Sequence, residues 1–263
     1  MNNQDYIVNV NNVTMVFNLA TELVDSLKEY VLKLLQGKLM MSKFRALKGV
    51  SLQIERGDAV ALIGSNGSGK STLLKVIAGV MSPTEGSVSV KGSIAPLIEL
   101  GAGFDMELTA RENVFLNGAV LGYNRKFMQE HFDNIIDFAE LWEFVDVPVK
   151  NFSSGMISRL GFAIATEVRA DVLIVDEVLA VGDFRFQEKC MKRMEEMMAA
   201  GTTLLFVSHD IDQVRTLCKK AALLEKGRLV MFGDVNEACD LYEQDYEEDD
   251  EDYDEDEDDE EDD

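Results

Sequence analysis

Eight consecutive residues, Gly64-Ser65-Asn66-Gly67-Ser68-Gly69-Lys70-Ser71, match the pattern G-x-x-x-x-G-K-[ST] and directly follow the apolar run Ala59 to Ile63. Glycines at these places let backbone N–H groups curl round phosphate oxygens with no Cβ in the way. The helix that should follow offers the positive end of its dipole to the same anion. Lys70 supplies a point charge for β- and γ-phosphates, and the Ser71 hydroxyl is placed to ligate Mg²⁺. Gly64, Asn66, Gly67, Ser68, Gly69 and Thr72 complete the predicted cradle. The chemistry indicated is the binding of nucleotide phosphates.

A second group lies about a hundred residues downstream, where Val172-Leu173-Ile174-Val175 runs into Asp176-Glu177. Four apolar residues ending in paired carboxylates describe a buried parallel strand with an acidic tip at the carboxyl edge of a sheet, expected beside the strand that feeds the phosphate loop. At that tip Asp176 would hold Mg²⁺ through water and Glu177 would polarise the attacking water as general base. His209, after the apolar run Leu204 to Val207, is placed as a third strand-tip group that contacts the γ-phosphate. Although Ser208-His209-Asp210 spells the letters of a hydrolase triad, successive residues at a strand end point in different directions, whereas triad members converge from distant positions.

The elements that must position these groups follow from periodicity. Tyr6 to Phe17, Ala46 to Ile54 and Val88 to Val90 carry β-formers and predict a small antiparallel sheet laid beside a parallel one. Ala110 to Phe144 and Leu160 to Val168 read as helical. The later alternation of strand and helix predicts a parallel sheet with crossover helices. Leu19, Leu23, Leu27, Val31, Leu34 and Leu35 recur at helical spacing, so a helical insertion is predicted over residues 19–45, with Lys28, Lys33, Lys38, Lys43 and Arg45 as a basic group suited to anionic lipid or a pyrophosphate head.

Composition bounds the rest. The chain has 263 residues and a formal charge of −24, but 18 of the 21 residues from Glu243 to Asp263 are Asp or Glu. The remaining 31 acidic against 25 basic residues leave the body at −6. Residues 243–263 therefore read as a self-repelling disordered tail, and residues 1–242 as one catalytic domain. A mildly acidic body has no broad basic footprint, so no nucleic-acid partner is expected. No run reaches the roughly 18 apolar residues that a spanning helix needs, and the polar N-terminus lacks a signal peptide's pattern, which predicts a cytoplasmic location. Cys190, Cys218 and Cys239 have neither zinc-ligand nor C-x-x-C spacing and read as reduced thiols.

Together the phosphate loop, Asp176-Glu177 and His209 resemble the ABC ATPases over about Val8 to Gly233, and Phe152-Ser153-Ser154-Gly155-Met156 occupies the place of that family's LSGGQ signature. The resemblance implies an α/β fold with a RecA-like P-loop NTPase core, an antiparallel β-subdomain, and a helical subdomain at about residues 100–161. It implies ATP and Mg²⁺ as ligands and ATP hydrolysis as the activity. Two copies would sandwich ATP, with Ser153, Ser154 and Gly155 of one facing the phosphate loop of the other. Val181-Gly182-Asp183 would link the two sites, and Phe17 would stack on adenine, although a strand-end aromatic is equally a core residue.

Three features narrow the resemblance: the SSGM form of the signature, Leu97-Ile98-Glu99-Leu100-Gly101-Ala102-Gly103-Phe104 where a glutamine usually marks the link to the membrane partner, and Arg111-Glu112-Asn113-Val114. With Val178 to Asp183 and the insertion they are similar to the subgroup that exports polysaccharides such as O-antigen, capsule-type glycans and teichoic acids. That implies a multi-span permease partner, a lipid-linked glycan, and a peripheral place on the cytoplasmic face of the cell membrane. The rival reading is a soluble ABC-type ATPase with no membrane partner, although such proteins usually carry two ATPase units or long coiled coils, and neither is seen here.

Overall fold

A computed structural model describes residues 6–20, 41–97, 100–101, 103–168, 170–176, 183–208 and 210–244. Strands β1 (Tyr6–Ala20), β2 (Met41–Glu55) and β4 (Glu85–Val90) form an antiparallel sheet in the order β2-β1-β4. A six-stranded sheet has the order β5-β6-β7-β3-β8-β9, from β3 (Ala59–Ile63), β5 (Ile94–Leu97), β6 (Val172–Asp176), β7 (Thr203–Val207), β8 (Lys220–Glu225) and β9 (Arg228–Asp234). Its strands run parallel except β9, which returns antiparallel on β8.

Alternation of side chains across this sheet divides the interior in two. Val60, Leu62, Val172, Ile174, Leu205 and Val207 face a core shared with the antiparallel sheet and with helix α1 (Lys70–Ile77). Their neighbours Ala61, Ile63, Leu173, Val175, Leu204 and Phe206 face the opposite core. There they meet α2 (Ala110–Val120), α3 (Arg125–Ala139), α4 (Ser154–Glu167) and α5 (Phe184–Ala199). Burial on both faces explains why these strands read as continuous apolar runs. Helices α6 (Ile211–Leu217) and α7 (residues 235–244) complete the described chain. Among the described residues no helix is long and apolar enough to cross a membrane.

Several expectations are revised. The helical pattern from Ala110 to Phe144 is divided after α2 by Gly122, whose φ of +89° suits glycine, and again at Glu140, which closes α3 with φ +59°. Helix α4 begins at Ser154 rather than Leu160, because the Ser153 hydroxyl accepts the Met156 N–H and caps it. The flanks of the insertion predicted over 19–45 are strand, not helix: Asn18 faces Lys43, Leu19 faces Ser42 and Ala20 faces Met41 as β1 and β2 extend together. Ladder hydrogen bonds between two adjacent strands outweigh an apolar spacing that reaches only Leu19 on that side. Residues 21–40 and 245–263, which hold the rest of the insertion and most of the acidic tail, lie outside the described residues.

Cys190, Cys218 and Cys239 are buried and unbridged, and burial pushes the Cys190 and Cys218 thiols up to about 12. Such thiols stay protonated and unreactive at neutral pH.

Candidate active site

The phosphate loop joins β3 to α1. Lys70 is only 6% exposed, and its ammonium donates to the carbonyls of Gly64 at 2.7 Å and Ser65 at 3.0 Å. The loop thus folds round its own lysine, and nucleotide phosphates would compete for that ammonium's donors. Gly64, Gly67 and Gly69 all have positive φ, as glycine allows. Gly64 has φ +140°, and a Cβ there would lie 2.1 Å from the Leu224 carbonyl oxygen; Gly67, at φ +78°, would place its Cβ in open space. Gly64 therefore permits packing, whereas Gly67 leaves room in front of the loop. Ser65, Asn66, Gly67 and Ser71 are exposed, and Thr72 is half-buried.

The start of α1 differs from that of every other α-helix described. Thr109, Asn124, Ser153, Asp183 and Asp210 each cap a helix with a side-chain oxygen, and Asp234 accepts from the N–H groups of Asn236 and Glu237 at the start of α7. At α1 the N-cap is Gly69, in the left-handed conformation with φ +108°, and no side chain caps the first turn. A helix N-terminus leaves several N–H groups without intrahelical partners, and an anion is the ligand that satisfies them. Ser68 adds a hydroxyl that is fully buried with no hydrogen-bond partner among the described residues. An uncapped helix end, an orphaned hydroxyl and clear space before Gly67 fit a phosphate ligand.

The loop is braced from below by a turn that the sequence reading did not single out. Gly227, between β8 and β9, donates its N–H to the Ser68 carbonyl at 2.9 Å and accepts from the Lys48 N–H at 2.8 Å. Gly227 has φ +83°, and a Cβ there would lie 2.6 Å from the Ala46 carbonyl oxygen. The only local signal was the turn-forming pair Lys226-Gly227.

Asp176 ends β6 half-buried and faces Val207 on β7, while Val207 faces Leu62 on β3. The acidic tip therefore lies at the same edge of the sheet as the phosphate loop. The two strands are not neighbours as expected: β7 runs between them, so the tips are separated by two strand spacings, about 10 Å. That gap gives room for a phosphate between the tips, and the strand that fills it is the one leading to Ser208. Glu177 and His209 themselves lie outside the described residues, as do Val181 and Gly182.

Phe17 is half-buried on β1, opposite Phe44, and packs against the core of the antiparallel sheet. Phe44 is 48% exposed, so this sheet edge carries one sheltered and one open ring. Ser153 and Ser154 are exposed and Gly155 half-buried at the head of α4, where the Ser153 oxygen is engaged in capping while its hydroxyl hydrogen can still be donated. Arg111 to Val114 have local explanations. Glu112 closes a capping box with Thr109, Arg111 pairs with Asp146 at 2.7 Å, and fully buried Asn113 donates to the carbonyls of Asp105, Leu108 and Thr109 while accepting the Asp105 N–H.

A phosphate loop on a parallel sheet, an uncapped helix behind it and a carboxylate two strands away define a P-loop nucleoside triphosphatase. Comparison with known proteins narrows this. A family profile described as "ABC transporter" matches residues 47–180. The O-antigen export system ATP-binding protein RfbB of Klebsiella pneumoniae is 43% identical over 244 residues, covering 90% of this chain and 98% of that protein. The teichoic acids export ATP-binding protein TagH of Lactiplantibacillus plantarum is 41% identical over 244 residues, covering 93% of this chain and 66% of that protein. A solved ATP-binding cassette, a dimer in a post-hydrolysis state with ADP and Pi, shares the fold with a TM-score of 0.69 at 23% identity, covering 87% of this chain and 98% of its own. This chain belongs to the ABC transporter family as an ATP-binding, ATP-hydrolysing subunit, with relatives in O-antigen and teichoic acid export.

Proposed function

We propose that this chain powers the export of a lipid-linked polysaccharide of the O-antigen, capsule-type or teichoic acid kind, working at the cytoplasmic face of the cell membrane beneath a multi-span permease. The observation that carries this reading is the 43% identity along 98% of an O-antigen export ATP-binding protein. The phosphates of ATP lie on the uncapped end of α1 and against Lys70. Ser71, exposed in the first turn, and Asp176, half-buried at the strand tip, are hard oxygen donors that would hold Mg²⁺, which supplies neutralising charge at the phosphate oxygens. Glu177 polarises the attacking water, His209 contacts the γ-phosphate, and Phe17 meets the adenine.

In this reading a second copy closes over the nucleotide, bringing its Ser153, Ser154 and Gly155 to the γ-phosphate. Closure is driven because ATP binds the joined state better than the open one. A groove of about 290 Å³, lined by Leu97, Leu100, Phe104, Val120, Ile164 and Ala165, supports docking of the permease at the β5 edge of the larger sheet, and Val80 and Val120 in its lining are 66% and 72% exposed.

Replacing Glu177 with Gln keeps the shape of the side chain and removes the base. The variant is expected to bind ATP, lose hydrolysis and elute as an ATP-bound dimer in size-exclusion chromatography with ATP and Mg²⁺. A variant that binds ATP yet stays monomeric, or one that hydrolyses at the normal rate, would contradict this reading.

A further inference from the structure

Helix α4 carries the signature residues at its head, and a cluster of charged side chains at the surface ties that helix to the start of α5. Asp183 is the N-cap of α5 and uses both carboxylate oxygens: Oδ1 accepts the Phe186 N–H at 3.0 Å, and Oδ2 accepts from Arg159 Nη2 at 2.5 Å. Those two interactions also hold the Asp183 carboxyl below the usual carboxylate range, the Phe186 N–H being the largest cause. Arg159 lies on α4, six residues after Ser153, and is 20% exposed. Its guanidinium sits over the Phe186 ring, 4.8 Å from the centroid, and Nη1 lies 3.4 Å from Glu140 at the end of α3. Glu140 in turn accepts from Lys189 of α5 at 2.9 Å. Three helix ends thus meet on one arginine.

Surface ion pairs contribute little to stability. This one differs in geometry, because a planar guanidinium is fixed at once by a carboxylate and by a ring face, which specifies direction as well as charge. At 1.5 Å per residue the anchor lies only about 9 Å along the helix from Ser153. Rotation of α4 about its own axis would carry Arg159 away from both partners and turn Ser153 to Gly155 with it.

We propose that Arg159 and Asp183 are a positioning pair that fixes the orientation of the signature turn Ser153–Gly155, and so governs productive closure of the ATP-bound dimer rather than the capture of nucleotide. The inference rests on the sandwich reading above. Neither residue touches the phosphate loop, which stands on another strand. A misplaced signature costs closure and turnover and leaves nucleotide affinity alone.

Asp183→Asn separates the two jobs of this residue. Asparagine caps a helix as well as aspartate does, but it replaces a charged acceptor with a neutral amide. In the purified full chain this variant should melt within about two degrees of wild type and bind ADP with unchanged affinity. It should lose about tenfold in kcat with little change in KM, and in the Glu177→Gln background it should need about tenfold more ATP or protein to dimerise. Arg159→Lys, which keeps the charge but loses the fork and the ring contact, should fall between the two. Normal turnover and dimerisation in Asp183→Asn would overturn the proposal, as would losses matched by a fall in ADP affinity or melting temperature. If Glu177→Gln itself fails to dimerise with ATP, the sandwich reading fails, whereas a dimerising Glu177→Gln unaffected by Asp183→Asn sinks the positioning pair alone.

Discussion

Helices α1 and α4 both begin at turns rich in serine and glycine, and the resemblance to ABC ATPases sends both to the same phosphate from opposite subunits. Their first turns are nevertheless built differently. At α4 the Ser153 side chain satisfies the Met156 N–H, so one donor of the first turn is already engaged without a ligand. At α1 the N-cap is a left-handed glycine and no side chain caps the turn, while the Ser68 hydroxyl beside it lacks a hydrogen-bond partner among the described residues. Binding strength belongs where internal satisfaction has been withheld. On the proposed sandwich reading, the loop of α1 holds nucleotide in the lone subunit, and the turn of α4 adds an interaction only once a second copy brings it into place.

The largest expected effect follows from Lys70. Its replacement with alanine removes the two hydrogen bonds that fold the loop round the side chain and, on the proposed reading, a charge-assisted contact to phosphate. Affinity for ATP, read by titration of a fluorescent analogue, should fall on the order of 10- to 100-fold. An unchanged affinity would show that the loop does not hold the phosphates. The contrast sharpens with Ser153→Ala, which removes the cap of α4: unfolding stability should fall by about 1 kcal/mol while ATP affinity of the monomer stays within twofold. A large loss of monomer affinity in that variant would erase the distinction between the two helices.

Much of this was legible in the sequence because it is local. The phosphate loop needs glycines at fixed offsets and an apolar strand before them, and both lie within thirteen residues, from Ala59 to Ser71. The buried strands of the larger sheet were equally plain, since Val172 to Val175 and Leu204 to Val207 are apolar on both faces. Strand order was not legible. Nothing in Asp176 or its neighbours shows that β7 inserts between β6 and β3, because that choice is made by crossover connections and packing over the whole sheet. The bracing of the loop by Gly227 was hidden for the same reason, since its partners Lys48 and Ser68 are far away in sequence. At residue 19 an amphipathic spacing pointed to helix, but strand pairing decided the outcome there and at residues 41–45, the other flank of the predicted insertion. Asn113 illustrates a third case, in which a residue singled out by resemblance organises its own loop through four hydrogen bonds.

The smallest effect lies at the opposite edge of the larger sheet, away from the nucleotide. Asp171 is held down at about 2 by the Ser93 N–H, then by Arg56 at 2.6 Å and by the Ser93 hydroxyl. Because its folded value is depressed, the stability it contributes is present above the unfolded value near 3.9 and is lost as the pH falls towards 2. Wild type should therefore exceed Asp171→Asn in denaturant midpoint at pH 7 by a small margin, reduced by the exposure of the pair, and the gap should close between pH 4 and 2. A gap that stays constant across that range would show that the ion pair contributes no pH-dependent stability. ATP turnover should be equal in the two proteins at pH 7.

The contrast between the two helix starts can be observed directly by following backbone amide resonances of the Glu177→Gln protein as ATP and Mg²⁺ are added. At protein concentrations too low for dimerisation, the amides of Gly67 to Thr72 should move strongly as phosphate oxygens arrive at the loop, while those of Ser154 to Met156 stay near their starting positions until the concentration is raised. Saturable ATP binding that leaves Gly67 to Thr72 unmoved, or that moves Ser154 to Met156 equally in the monomer, would contradict the account.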